Sequence, residues 1–306
     1  MILEAYAKVN FTLEVFAKRA DGYHALRSVV MPVSLSDTLE VTSADGISSD
    51  SRYPDDLALK AARELAREAG GREVGAAIHY VEKRIPAGGG LGGGSADAAA
   101  VIVALNTIWG LSLPPARLAE VGARVGSDVP ALVLARIYAC PVLMEGRGEK
   151  VSVLGSGGVE SGPASASGRR YSALKDAKRT HPPLNLVLAN PGVQSSTAEV
   201  YSKCTSRLPD DTSILYNIRS ALESGEVAAI ASALQNDLEP PAVALHPEIA
   251  AVKAALADAG AEGVLMSGSG STVFGLVPTE ARGREIAALL EAKGLWARAV
   301  RTCPVV

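Results

Sequence analysis

The densest cluster of residues that could do chemistry is a glycine-rich run, PAGGGLGGGSADAAAVIVAL, which begins at Pro86. Six of the seven residues from Gly88 to Gly94 are glycine. Glycine lets backbone amides approach an anion closely, and a following helix adds its unsatisfied first-turn amides and the positive end of its dipole. The stretch from Ala96 to Trp109 lacks glycine and proline and is apolar on almost every side, which is typical of a buried helix. The run therefore predicts a backbone cradle for phosphate.

This loop differs from the common nucleotide-binding patterns. It contains GxGxxG from Gly88 to Gly93, but no acidic residue occurs between Asp97 and Glu120, where a dinucleotide fold places one about 20 residues on. It lacks the Gly-Lys-Ser/Thr ending of a P-loop, and the chain has no HRD or DFG motif of protein kinases. A glycine-rich turn without a ligand is the remaining structural alternative.

Two charged residues could act beside such a cradle. Residues 2–16 alternate as a half-buried strand does, which puts Lys8 and Asn10 on one face. Asp128, in GSDVP, precedes an apolar helical stretch. In a phosphate site an aspartate can position and deprotonate a hydroxyl, while a lysine stabilises the developing charge. Taken alone, Lys8 could equally be a snorkelling edge residue and Asp128 a helix N-cap.

Two further segments leave alternatives open. His24 follows Tyr23 in the loop RADGYH, where the two rings could read a flat ligand or have no function. Gly268-Ser-Gly270 could form a tight turn or a second backbone site for anions.

The elements that must position these residues alternate between strands and helices. Residues 155–183 are rich in Gly, Ser, Pro and charge, which indicates a linker or extended loop between domains at 1–154 and 184–306. The patterns predict strands at 2–16, 26–33, 38–43, 75–85, 184–189 and 296–301, a hairpin at 138–153, a strand pair at 262–277, and helices at 56–69, 96–109, 115–125, 213–222, 227–234, 247–259 and 280–293. Two unlike α+β domains are expected.

Composition narrows the class of protein. The 306 residues include 48% hydrophobic and 21% charged residues, the balance of a globular enzyme. A net charge of −3 and only 4% aromatic residues argue against nucleic-acid and membrane partners. Three isolated cysteines indicate neither a disulfide framework nor a zinc site. We expect a cytoplasmic protein that binds a small anionic molecule.

Three separated motifs together resemble the GHMP family of small-molecule kinases. They are AKVN from Ala7 to Asn10, PAGGGLGGGSA from Pro86 to Ala96, and MSGSG from Met266 to Gly270. The resemblance implies a two-domain α+β fold, with an N-terminal nucleotide domain like ribosomal protein S5 and a C-terminal ferredoxin-like domain. It also implies ATP with Mg²⁺ as the cofactors, without identifying metal ligands.

Matched position by position, the resemblance implies that Lys8 and Asp128 are the catalytic pair. The residues implied to bind the cofactor are Lys83, Pro86, Ala87, Gly88, Gly89, Gly90, Leu91, Gly92, Gly93, Gly94, Ser95 and Ala96. The residues implied to bind the substrate are Asn10, Tyr23, His24, Thr197 and Tyr201, with His24 reading a cytosine edge and Tyr201 against the same base.

The segment Asp21-Gly-Tyr-His24 separates branches of the family. It resembles the branch that phosphorylates the 2-hydroxyl of a cytidine-diphosphate-linked methylerythritol, whereas kinases of homoserine or mevalonate, the alternative, are not expected to carry it. One departure is Asp56, which replaces an asparagine expected near the adenine. The small-molecule acceptor is the partner that the resemblance implies, and oligomeric state is left open.

Overall fold

A computed structural model describes residues 1–155, 158–159, 183–207 and 212–303. The predicted linker, residues 155–183, lies almost entirely outside these ranges. Within them, no helix has the length and apolar character needed to cross a membrane. The structure shows no disulfide bond at any of the three cysteines within these ranges.

The first part of the chain forms most of a large mixed sheet. Its two long strands pair antiparallel, and the order through the described sheet is β3-β4-β2-β5-β6-β7, with β1 also beside β2. The strands are β1 (Ile2–Lys18), β2 (His24–Ser43), β3 (Ile47–Ser49), β4 (Ala76–Glu82), β5 (Val142–Gly146), β6 (Lys150–Gly155) and β7 (Gly158–Val159).

Four α-helices cover this sheet. They are α1 (Leu57–Ala66), α2 (Gly93–Ile108), α3 (Pro115–Val125) and α4 (Val129–Tyr138). Helix α2 is buried from Ala96 through Leu105 except for Val103, because small and branched apolar residues surround it on nearly every side. A 3₁₀ turn at Arg67–Ala69 extends α1.

The later part of the chain builds a four-stranded antiparallel sheet in the order β10-β11-β8-β12. Its elements are β8 (Asn185–Asn190), α5 (Thr197–Ser202), α6 (Ser213–Ser224), α7 (Val227–Ala233), β9 (Gln235–Asn236), α8 (Glu239–Leu245), α9 (Glu248–Asp258), β10 (Glu262–Met266), β11 (Val273–Val277), α10 (Glu280–Ala292) and β12 (Trp296–Arg301).

Both parts meet along β1. Strand β9 pairs parallel with β1 at Thr12 and Leu13, and the rings of Phe11 and Phe274 stack with centroids 5.6 Å apart. These contacts place the MSGSG turn against the first strand.

The structure confirms the mixed α and β organisation and corrects parts of it. The strands predicted at 26–33 and 38–43 are one strand, β2, because the polar residues between them remain in the ladder. Asp37 pairs with Ala5 across that ladder and is buried where it accepts from the amides of Arg84 and Ile85. Helix α2 starts at Gly93, three residues before the predicted start, because Gly92 takes a left-handed conformation and begins the helix inside the glycine run.

A buried ion pair joins β1 to β2 and yields a stability prediction. Arg27 donates from Nε and Nη2 to the two Glu14 carboxylate oxygens at 2.7 Å each, and the Glu14 side chain is fully buried. Glu14→Ala should lower the free energy of unfolding by about 3–5 kcal/mol, because a buried guanidinium loses the carboxylate that accepts two of its hydrogen bonds. Urea unfolding measures this loss.

The control is Glu223→Ala, which removes the Glu223 partner of Arg219 in a largely exposed i,i+4 pair. That change should alter stability by less than about 1 kcal/mol. Equal losses in the two variants would contradict the prediction.

Candidate active site

One cleft of about 930 Å³ brings together the residues singled out in the sequence. The glycine-rich run and the start of α2 form its middle. One end lies beside the loop between β1 and β2 and helix α5, and the other beside the N-terminus of α1 and the end of β4.

Lys8 and Asp128 meet in this cleft, with Lys8 Nζ 3.4 Å from Asp128 Oδ2. Lys8 is only 3% exposed, so it is not a snorkelling edge residue. Asp128 occupies the N-cap position of α4, but its side chain accepts no capping hydrogen bond from the described helix amides. Its carboxylate is 30% exposed and lines the cleft, so the geometry favours the chemical interpretation of both residues.

Lys8 is held by two further acceptors. Its Nζ donates to Asn10 Oδ1 at 2.7 Å and to the Gly90 carbonyl at 2.8 Å. The Asn10 amide donates in turn to Ser28 Oγ at 2.8 Å, which fixes the side chain's orientation. The ammonium thus has a defined position although it is buried.

Three residues of the glycine run adopt left-handed backbone conformations that glycine takes more easily than any other residue. Gly88, Gly90 and Gly92 all have positive φ angles, of 67°, 76° and 69°. A Cβ on Gly90 would collide with the Ser267 carbonyl oxygen, because the MSGSG turn packs directly on the loop. No side chain of the described residues caps the first turn of α2, so its amides stay available where they line the cleft.

Two aromatic rings face one another at the α5 end. The ring centroids of His24 and Tyr201 are 6.0 Å apart and the planes are inclined by 35°. His24 Nδ1 lies 2.9 Å from the Phe16 carbonyl, which can only accept, so Nδ1 carries the proton and Nε2 of the neutral ring is an acceptor. Burial, with the nearby Asp128 charge, raises the pKa of Tyr201 above its usual value, so its hydroxyl stays protonated.

Acidic residues dominate the α1 end. Lys83 Nζ lies 2.5 Å from both Asp37 Oδ2 and Asp97 Oδ2. Burial raises the pKa of Asp97 to about 7, with Asp37 and Asp56 adding to the shift and Lys83 opposing it. Burial acts against the Lys83 ammonium, but Asp97 and Asp37 outweigh it and raise the Lys83 pKa.

Asp56 has a structural role that its sequence position does not reveal. Its Oδ1 accepts from the amides of Ala58 and Leu59 at the start of α1 and from the Tyr80 hydroxyl at 2.8 Å. Asp56 Oδ2 and Asp97 Oδ1 are buried without a hydrogen-bond partner among the described residues. Burial together with the charges of Asp97 and Asp56 raises the Tyr80 pKa far above its usual value.

Comparison with known protein families agrees with this arrangement. The model of the GHMP kinases N terminal domain matches residues 56–136, and that of the GHMP kinases C terminal domain matches residues 218–294. The chain belongs to the GHMP kinase family. It is therefore a member of a family of small-molecule kinases.

Related GHMP kinases match over nearly the full chain. A protein of Citrifermentans bemidjiense named 4-diphosphocytidyl-2-C-methyl-D-erythritol kinase is 38% identical, over 98% of each chain. One of the same name from Geobacter sp. strain M21 is 40% identical, again over 98% of each. The crystal structure of a 4-(cytidine 5'-diphospho)-2C-methyl-D-erythritol kinase superposes with a TM-score of 0.76 and 33% identity, covering 99% of this chain and 100% of that one. A homoserine kinase from Cytophaga hutchinsonii, at 20% identity and a TM-score of 0.66, shares the fold.

The cleft of this GHMP kinase contains nearly every residue that the motifs singled out. The predicted residues that line it are Lys8, Asn10, Tyr23, His24, Lys83, Pro86, Ala87, Gly88, Gly89, Gly90, Gly92, Gly93, Gly94, Ser95, Asp128, Thr197 and Tyr201. Leu91 and Ala96 belong to the same run, but both side chains are buried in the core. The Leu91 carbonyl accepts from the Lys8 amide at 3.0 Å, so this residue anchors the loop to β1.

Sequence reasoning missed the acidic cluster. Asp37 falls within a predicted gap between strands, and Asp97 is the single charge in a predicted apolar helix. The one available signal was Asp97 itself, because a carboxylate on a helix buried on all sides requires a cation, here Lys83.

The raised pKa of Asp97 predicts a pH-dependent stability change. Between its usual value of 3.8 and about 7, the folded chain holds a proton that the unfolded chain has released, so this group makes the fold less stable as pH rises. The free energy of unfolding of Asp97→Asn, taken relative to that of the wild type, should therefore be about 3 kcal/mol higher at pH 8 than at pH 5. Urea unfolding at both pH values measures the difference.

Asp258→Asn is the control, because this residue is exposed at the end of α9. The difference in unfolding free energy between Asp258→Asn and the wild type should be nearly the same at both pH values. If the difference for Asp97→Asn were also the same at pH 5 and pH 8, the raised pKa of Asp97 would be refuted.

Proposed function

We propose that this GHMP kinase transfers the γ-phosphoryl group of ATP to the 2-hydroxyl of 4-diphosphocytidyl-2-C-methyl-D-erythritol, forming the 2-phosphate and ADP. The observation that carries the proposal is that one cleft holds a Lys8–Asp128 pair, an open glycine cradle and a pair of rings, one of which offers an acceptor nitrogen without a partner among the described residues. The relatives at 38–40% identity, which bear the name of this kinase, support it.

In the proposed reaction, Asp128 accepts a hydrogen bond from the acceptor hydroxyl and orients it towards the γ-phosphorus. As the new P–O bond forms, Asp128 takes the proton, the bond from the γ-phosphorus to the β,γ-bridging oxygen breaks, and ADP leaves with that oxygen. Lys8, 3.4 Å away, offers positive charge to the oxygens of the transferring group. Phosphoryl transfer has a loose transition state, so alignment and charge stabilisation contribute more than proton removal.

The glycine run would hold the phosphates of ATP. The amides of Gly93, Gly94 and Ser95 begin α2 beside the cleft, where the helix dipole favours negative charge. Gly89 and Gly90 pack against Thr272 and Ser267, so little room exists for the loop to move away from its ligand.

The rings at the α5 end would bind the cytosine. The acceptor nitrogen of His24, Nε2, can receive a hydrogen bond from the 4-amino group of the base, and Tyr201 supplies an apolar face against it. Tyr23, 61% exposed, can cover the ligand from the solvent side.

Mg²⁺ is part of the proposal as an ion bound mainly by the phosphates. Among the described residues no three His, Cys, Asp or Glu side chains converge on a metal site. Magnesium in such sites commonly keeps several waters and is bound through phosphate oxygens with one or two carboxylates. When bound, the ion neutralises charge on the transferring group.

A kinase of homoserine or mevalonate is the alternative that the shared fold allows. Those acceptors are small and have no aromatic base, so they would leave the His24 and Tyr201 rings without a ligand. The acceptor assay separates these possibilities: ADP release is measured with cytidine-diphospho-methylerythritol, homoserine, mevalonate or no acceptor. We expect release only with the first, and release with either of the others would overturn the proposal.

Asp128→Asn tests the assigned chemistry. The amide cannot take the proton and loses the negative charge beside Lys8, so turnover should fall by a factor of about 10² to 10⁴. ATP affinity should change little, because the glycine run is not altered. Turnover is measured by ADP release, and ATP affinity by titration calorimetry.

Asp45→Asn provides a control of equal charge change on the exposed loop before β3. It should keep wild-type turnover. An Asp128→Asn enzyme with turnover within about tenfold of wild type would exclude Asp128 as the catalytic carboxylate.

A further inference from the structure

Two cationic side chains at the α5 end of the cleft have no role in the reaction described above. Arg147 is at the tip of the hairpin between β5 and β6, and Lys18 ends β1 opposite His24 in the strand register. Both line the cleft.

The hairpin tip places Arg147 between Tyr23, at the nucleoside end of the proposed acceptor site, and Asp128, at its reacting end. Its guanidinium carbon lies over the Tyr23 ring, 5.3 Å from the ring centre. The next residue, Gly148, packs so closely on Ser127 that a Cβ would collide with the Ser127 carbonyl, and its φ of 108° also requires glycine. Since Ser127 precedes Asp128, Arg147 lies in the span between the nucleoside end and the reacting end.

The carboxylates near Arg147 and Lys18 do not hold either cation tightly, so both side chains can bind a ligand. Arg19 engages the nearby carboxylates, at 3.3 Å from Glu149 and 3.2 Å from Asp21. Among the described residues, the one carboxylate paired with the Arg147 guanidinium is that of Asp21, 3.9 Å from Nε. Lys18 forms no ion pair within the described parts of the chain.

The other two cationic side chains that line the cleft already have hydrogen-bond and ion-pair partners. Lys8 contacts Asp128, Asn10 and the Gly90 carbonyl, and Lys83 is held between Asp37 and Asp97. A second anionic group in the acceptor region therefore has Arg147 and Lys18 as its available counter-charges.

We propose that Arg147, assisted by Lys18, binds the diphosphate of the acceptor. The inference rests on the proposed function, in which the acceptor carries a diphosphate between its cytidine and its reacting hydroxyl. A guanidinium can present two parallel N–H donors to phosphate oxygens, and the Tyr23 face below it restricts its orientation. Arg147 acts as a binding residue that sets the distance between base and hydroxyl.

Arg147→Met tests this role, because methionine keeps an apolar stem over Tyr23 and removes the charge. Cytidine and CDP are compared as competitive inhibitors against the acceptor. We expect CDP to bind about tenfold more weakly to the variant than to the wild type, with cytidine unchanged, as loss of one charge-assisted contact at a partly exposed site implies. The KM for the acceptor should rise by a similar factor, and the KM for ATP should not change.

Lys150→Met is the matched control. Lys150 is exposed on the same hairpin and does not line the cleft, so its loss should leave both inhibitors and both KM values unaltered. Lys18→Met, combined with Arg147→Met, should reduce the preference for CDP over cytidine further. Thermal unfolding of each variant should match wild type, which verifies the fold.

Two results would overturn the proposal. Unchanged CDP inhibition in Arg147→Met would show that the guanidinium does not contact the phosphates. Equal weakening of cytidine and CDP would show that Arg147 acts only by holding Tyr23. Failure of the proposed function looks different, since neither cytidine nor CDP would then compete with the acceptor in the wild-type enzyme.

Discussion

The arrangement of the whole site depends on one buried ammonium. Lys8 is almost completely shielded from solvent, and an ion in that position is tolerated only when its donors are satisfied. Its acceptors come from three places in the chain: Asn10 on the same strand, Gly90 in the glycine run and Asp128 at the start of α4. The requirement to satisfy one side chain thus holds β1, the glycine run and the Asp128 carboxylate together.

The same constraint explains the glycines around Lys8. Gly90 accepts from both Lys8 Nζ and Ser267 Oγ, so the loop is fixed between β1 and the turn before β11. A side chain on Gly92 or Gly268 would press on Lys8. These close approaches make the backbone conformation part of the binding site, and they orient the free amides of α2 before a ligand arrives.

Local features of this arrangement could be predicted from the sequence, whereas long-range pairings could not. Lys8 and Asn10 are two residues apart on a strand, so their shared face follows from the pleat alone. The glycine run followed by an apolar helix is likewise a local pattern. By contrast, Asp37, Lys83 and Asp97 come from β2, the segment after β4 and α2, and no spacing in the chain indicates that they meet.

The Asp56 position shows why a motif departure was hard to interpret. Loss of an expected amide suggested a change in ligand contact, but its carboxylate also caps α1 and accepts from Tyr80, roles that depend on where β4 lies. Likewise, the tip of the β5–β6 hairpin acquires significance only because Gly148 rests on Ser127. In both cases the sequence shows the residue type, but only the fold shows which residues lie next to it.

The charge distribution of the cleft restricts how an anionic ligand can lie in it. At the α1 end, Asp37 and Asp97 flank the ammonium of Lys83, and Asp56 adds a third carboxyl group close enough to raise the pKa of Asp97. These carboxyl groups disfavour phosphate at this end of the cleft. Lys8 and the amides of α2 attract phosphate in the middle, and Arg147 and Lys18 do so at the far end. In the proposed complex, a nucleoside triphosphate would therefore lie with its base towards α1 and its terminal phosphate beside Asp128, next to the region proposed for the diphosphate of the acceptor.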